Sequence, residues 1–318
     1  MSKKIAFIIG AGSTFGDSKA TSEHKKPPLD NKFFSNALIT HPNDTKAISK
    51  YLENTFNYDI FDSNHDRLEE VMAMLYSDIY HPQLGDESFN IFRRLVKLYN
   101  KRIAETTNTI NPGNKRNLFK LLADHLSDVE NIGDITFITF NQDIHIEKTL
   151  KRFESYGKYQ SYGNFFNFPY SYDLLNPETS SPQDKSTKIF NYGKESDIHL
   201  KLYKLHGSLN WYSTHNTTNI SRFQIFNPNR RIHITTKMHI TTEFKLIGDK
   251  RGVDTFPIII PPVLHKSGIL HNSLKPLWTK AEKALKDATD IVIFGYSCPE
   301  IDRESANMIR RAILHPIK

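Results

Sequence analysis

Ile5-Ala6-Phe7-Ile8-Ile9-Gly10-Ala11-Gly12-Ser13-Thr14 is the stretch that decides the fold. Five apolar residues in a row, stopped by glycine, read as a strand buried on both faces, the habit of a parallel sheet. The Gly-Ala-Gly that follows suits a tight turn in which backbone approaches a ligand closely. Three further motifs follow along the chain: Phe137-Ile138-Thr139-Phe140-Asn141-Gln142-Asp143, Lys204-Leu205-His206-Gly207-Ser208, and Ile291-Val292-Ile293-Phe294-Gly295-Tyr296-Ser297. Three of the four put a small or polar group just beyond an apolar, β-branched run. In an open parallel sheet, ligands bind at those carboxyl strand ends.

The rest of the pattern agrees with an α/β reading. Phe89, Phe92, Leu95, Val96 and Tyr99 fall at helical spacing, as do Leu118, Leu121, Leu122, His125 and Val129. Asn111-Pro112-Gly113-Asn114 breaks the pattern between the two sets. A strand at 135–140 leads into a helix at 144–153, and Phe256 to Ile260 forms another strand. An amphipathic helix at 272–288 carries Pro276 in its first turn, where a missing N–H costs little. A strand at 291–295 and a final helix at 299–314 close the chain. Residues 13–32 are polar and loop-like, with Pro27-Pro28 barring a helix. Strands alternating with helices predict a Rossmann-like, doubly wound parallel sheet in one domain over 1–318. It carries a helical segment at about 33–131 and an irregular, aromatic-rich insertion at about 155–250, within which 200–212 and 223–247 carry short β-like runs.

Composition bounds the function. The 318 residues are 38% hydrophobic and 12% aromatic, enough for a substantial core. The net charge of +7 favours anionic ligands but is spread along the chain, so nucleic acid is expected only indirectly. Cys298 is the one cysteine, which excludes an internal disulfide and a cysteine-based zinc site, and no metal is expected. No apolar run approaches the ~20 residues of a membrane span. No membrane association and a cytoplasmic location are expected.

Each motif has a plain structural alternative. The glycine turn could simply join a strand to a helix. Asn141 could position a water or a sugar hydroxyl, and Asp143 could accept from a ligand amide, yet Asp143 could equally cap the next helix. His206 beside Gly207 suits a turn that exposes an imidazole able to act as a general base.

In this order, the four motifs resemble those of the sirtuin-like superfamily of NAD-binding proteins. The resemblance implies that Gly10, Ala11, Gly12 and Ser13 hold the NAD pyrophosphate. It implies that Asn141 orients the attacking water or the nicotinamide ribose, that Asp143 binds the carboxamide, and that His206 is the catalytic base. Gly295 and Ser297 would contact phosphate or the adenosine ribose. Asp30 and Phe34, after the glycine loop, would help cover the nicotinamide side.

The departures carry as much weight. Protein-deacetylating sirtuins hold zinc with four cysteines, and this chain has one. It also lacks their Gly-Ile-Pro-Asp-Phe-Arg run, and its Phe140-Asn141-Gln142-Asp143 differs from their version at the first and third positions. The chain is similar in these respects to the bacterial sirtuin-like branch that cleaves NAD to nicotinamide and ADP-ribose, typically in abortive defence against phage. The resemblance implies NAD as substrate and control by homo-oligomerisation or by a partner such as a hexameric translocase ATPase. The alternative is a non-catalytic NAD- or ADP-ribose-binding module gating such an ATPase; protein deacylation is a third reading. The family usually adds one more strand after the final helix, so either a longer chain or another subunit is expected to complete the adenosine side.

Overall fold

The computed structural model describes residues 3–62, 67–111, 117, 132–153, 170–171, 178–179, 200–216, 233–234, 253–260, 274–299 and 302–314. In chain order these form β1 (Ile5–Ile9), α1 (Ala11–Asp17), α2 (Phe33–Thr40), α3 (Pro42–Phe56), α4 (Leu68–Asp78) and α5 (Gly85–Asn108). Then come β2 (Ile135–Thr139), α6 (His145–Phe153), β3 (Tyr170–Ser171), β4 (Glu178–Thr179), β5 (Leu200–Lys204), β6 (Gly207–Asn216), β7 (His233–Ile234) and β8 (Val253–Ile259). α7 (Lys275–Asp287), β9 (Asp290–Phe294) and α8 (Arg303–Leu314) complete the series.

The main sheet is parallel, in the order β3-β5-β2-β1-β9. β1 lies inside the sheet, between β2 and β9, because every residue of Ile5-Ala6-Phe7-Ile8-Ile9 is apolar and can face a covered layer. Ile8 and Ile9 are fully buried, and Phe7 meets Phe137 edge to face at 5.1 Å. Helices flank the sheet, giving the expected Rossmann-like α/β architecture. Apart from Asp290, β9 is as apolar as β1 but has a different fate. Among the described residues it is an edge strand, and its neighbouring residues Val292 and Ile293, which point to opposite faces, are 41% and 55% exposed.

Helices occupy much of the 33–108 region as read from the sequence, α5 carrying the periodic Phe89 to Tyr99 set on its buried side. The proposed helix through Leu118, Leu121, Leu122, His125 and Val129 lies outside the described residues. Two expectations change. Residues 13–17 belong to a helix, α1, instead of a loop; its buried positions are Ser13, Thr14 and Asp17, so no apolar periodicity announces it. The 155–250 stretch lies mostly outside the described residues, and β5, β6 and β7 fall on or begin in its two β-like runs. It supplies β4, β7 and all of β6 to a second sheet ordered β4-β7-β6-β8, in which β6 and β8 pair antiparallel. Two-residue strands such as β4 and β7 are too short to show a period of two. Final-helix residues begin at Arg303, four later than the pattern suggested.

Candidate functional site

The four motif loops leave the carboxyl ends of β5, β2, β1 and β9, four neighbours in the sheet. Backbone hydrogen bonds stitch them together. Phe140 N–H donates to Ile9 O at 3.1 Å, Leu205 N–H to Thr139 O at 3.0 Å, and Gly10 N–H to Phe294 O at 3.0 Å. Residues 10, 141, 206 and 295 therefore gather along one edge of the sheet, although they are far apart in sequence.

The glycine loop and the β9 loop touch backbone to backbone. Gly12 N–H donates to Gly295 O at 2.9 Å, and Gly295 takes φ +64° directly against Ser13. A Cβ on Gly10 would lie 2.6 Å from Gly295 O and from Tyr296 Cα. The glycines thus serve first to bring two chain segments together. Ser13 N–H is also engaged, with Gly10 O at 3.1 Å. Of the four residues expected to cradle a pyrophosphate, only Ala11 keeps an amide without a partner among the described residues. Ala11, Gly12, Gly295 and Ser297 are all exposed at this edge.

Asn141 is the hub of the site. Its side chain is 5% exposed, and Nδ2 lies 3.0 Å from Gly10 O, 3.2 Å from Thr14 Oγ1 and 3.5 Å from Ser13 Oγ. Its backbone N–H is held by Thr139 Oγ1 at 3.0 Å. The amide oxygen Oδ1 is buried with no hydrogen-bond partner among the described residues. An orphaned buried acceptor is costly, on the order of 1–3 kcal/mol, and is a natural seat for a ligand hydroxyl or a water.

Asp143 does what its structural alternative requires. Oδ1 accepts from His145 N–H at 2.8 Å, capping α6, and Oδ2 accepts from Thr14 Oγ1 at 3.0 Å. Its main-chain oxygen accepts from Lys204 Nζ, which also pairs with Glu147 Oε1 at 2.8 Å, both side chains fully buried. Gln142 accepts at Oε1 from Tyr99 O–H at 2.8 Å. Burial raises the Tyr99 pKa first, and the carboxylates of Glu69, Asp143 and Asp30 add to it, so Asp30 and Asp143 act on one phenol. Asp30 itself lies on the side of α4. Its Oδ1 accepts from Glu69 N–H at 2.8 Å, capping that helix from outside. Phe34 is fully buried in the core.

His206 departs from expectation. The turn is there, with Gly207 at φ +78°, but the imidazole is 6% exposed instead of projecting into solvent. Two aromatic rings lie beside it, and a third stacks on one of them. Phe140 lies 5.2 Å away and Trp278 6.1 Å away, and Tyr296 stacks on Phe140 at 4.5 Å. Trp278 is fixed by donating Nε1–H to Leu205 O at 3.2 Å.

Asp302 was not singled out from the sequence. Its Oδ1 lies 3.7 Å from His206 Nε2. Ser305 O–H donates to that oxygen at 2.6 Å, and Tyr296 O–H donates to Oδ2 at 3.0 Å. Asp302 precedes α8, so its spacing to Ser305 signals a helix cap; nothing local points to a histidine 96 residues earlier.

The chain matches no protein-family model, and it has no significant match among curated proteins. What fold and site define is a Rossmann-like α/β protein with a polar cluster at the carboxyl ends of its parallel strands. No helix among the described residues is long and apolar enough to cross a membrane.

Proposed function

We propose that this chain is an NAD glycohydrolase. The observation that carries the reading is Asn141, held rigidly at the centre of the converging loops with Oδ1 buried and unpartnered among the described residues. A rigid acceptor at that point suits a nicotinamide-ribose hydroxyl or the attacking water. Water adds to C1′ of the ribose, the bond from C1′ to the nicotinamide nitrogen breaks, and ADP-ribose, nicotinamide and one proton result. His206 accepts the proton from water, and Asp302 at 3.7 Å stabilises the resulting imidazolium. Phe140, Trp278 and Tyr296 exclude bulk solvent, which strengthens that interaction. Because three amides of the glycine loop are internally engaged, phosphate contacts fall to the Ala11 amide and the exposed Ser297 hydroxyl. Defence by NAD depletion, under control of oligomerisation or a partner ATPase, is the setting in which such an activity makes sense.

The test is nicotinamide release from NAD by wild type, Asn141→Ala and His206→Ala. General-base loss is expected to cost about 100-fold or more. Equal rates in all three proteins would sink the reading.

One observation favours a second reading. With His206 buried beside aromatic rings, a site that binds NAD or ADP-ribose without turnover and gates a partner is also consistent. NAD binding with no nicotinamide released in the assembled complex would select it.

A further inference from the structure

A cavity of about 560 Å³ opens beyond the C-terminal end of α1. Its walls are the end of α1 and the segment after it, Thr40 at the end of α2, and the last turns of α5 with the residues that follow. That volume is typical of a small-molecule site. Its electrostatics are the unusual feature.

Arg102 lines it and is 2% exposed. Its Nη2 donates to His24 O at 2.7 Å and Nη1 lies 3.4 Å from Thr40 Oγ1, but Nε is buried with no acceptor. No carboxylate pairs with it among the described residues. A guanidinium cannot escape burial by losing its proton, so a buried one without a counter-ion is costly. Desolvation accordingly pulls its pKa down, and the nearby Glu105 offsets this only in part.

Lys19 and Lys25 line the same cavity, and neither has an ion-pair partner among the described residues. Two carboxylates are present, and each already has a histidine. Asp17 Oδ2 meets His145 Nε2 at 2.9 Å, and Glu105 Oε1 meets His41 Nε2 at 3.2 Å. Three cations therefore converge on one concave space while its acids are engaged elsewhere.

We infer that this cavity is a binding site for a small phosphate-bearing anion, held by Arg102 with Lys19 and Lys25. The forked guanidinium anchors the phosphate and supplies the missing acceptor to Nε, and the two lysines close over it from the loop. The inference does not depend on the NAD reading, since Arg102, Lys19 and Lys25 are not among the residues assigned to that site.

Isothermal titration of the full chain with inorganic pyrophosphate tests it. Wild type should bind, and Lys19→Ala/Lys25→Ala should bind at least roughly tenfold more weakly, as expected for losing charge-assisted contacts. Lys46→Ala/Lys50→Ala, on exposed positions of α3, makes the same change in net charge and should bind like wild type. Arg102→Met should abolish binding; because it also frees His24 O, the lysine pair is the variant that decides. Equal affinity in wild type and the Lys19/Lys25 variant, or no binding by wild type at millimolar pyrophosphate, overturns the proposal.

Discussion

At the scale of single residues, one glycine and one asparagine define the strand-end cluster. Gly295 sits in the left-handed region, and a side chain there would run into the backbone of Ser13. Gly295→Ala is therefore expected to cost more than the ~1–2 kcal/mol of the conformation alone, and to lower the melting temperature by several degrees in a thermal scan. An unchanged melting temperature would mean that the two loops are not in register as described. Asn141 was legible in the sequence as a strand-end polar residue. Its tie to Gly10, 131 positions away, was not, because a hydrogen bond between loops leaves no local pattern. Asp302 was invisible as a partner of His206 for the same reason.

Among elements, α7 and α8 are joined by a surface clamp. Glu282 accepts from Arg311 at both oxygens, with Nη2 at 2.7 Å from Oε2, and from Lys286 at 2.8 Å. These hydrogen bonds, from Arg311 first and then Lys286, pull the Glu282 pKa down to about 2. A carboxylate with a depressed folded-state pKa stabilises the protein above its unfolded value, and that contribution is lost as pH falls through the folded one. Wild type should thus exceed Glu282→Gln in melting temperature near neutrality, with the gap narrowing from about pH 5 and closed near pH 2. A gap independent of pH would show that the clamp does not titrate as described. Helices α5 and α7 could be read from apolar spacing because their buried faces are apolar. Helix α1 could not, since the groups it buries are hydroxyls and a carboxylate that bond to Asn141, Asp143 and His145.

For the whole molecule, sheet order decides which apolar strand becomes core and which becomes surface. β1 and β2 are interior strands, and among the described residues β9 has one open side. In hydrogen–deuterium exchange, amides of β1 and β2 should be the slowest, and those of β9 on its outer side much faster. Equal protection of β9 would mean that another strand or subunit covers that edge in solution. The sequence by itself determined that the chain is α/β and that chemistry-bearing residues lie at strand ends, because runs of β-branched residues and glycine stops are local signals. Only the tertiary structure decided that those ends are adjacent, that His206 is enclosed and faced by Asp302, and that Arg102, Lys19 and Lys25 share a cavity. Those relations depend on which strands pair and which helices pack, and the energy that selects them comes from contacts between residues far apart in the chain.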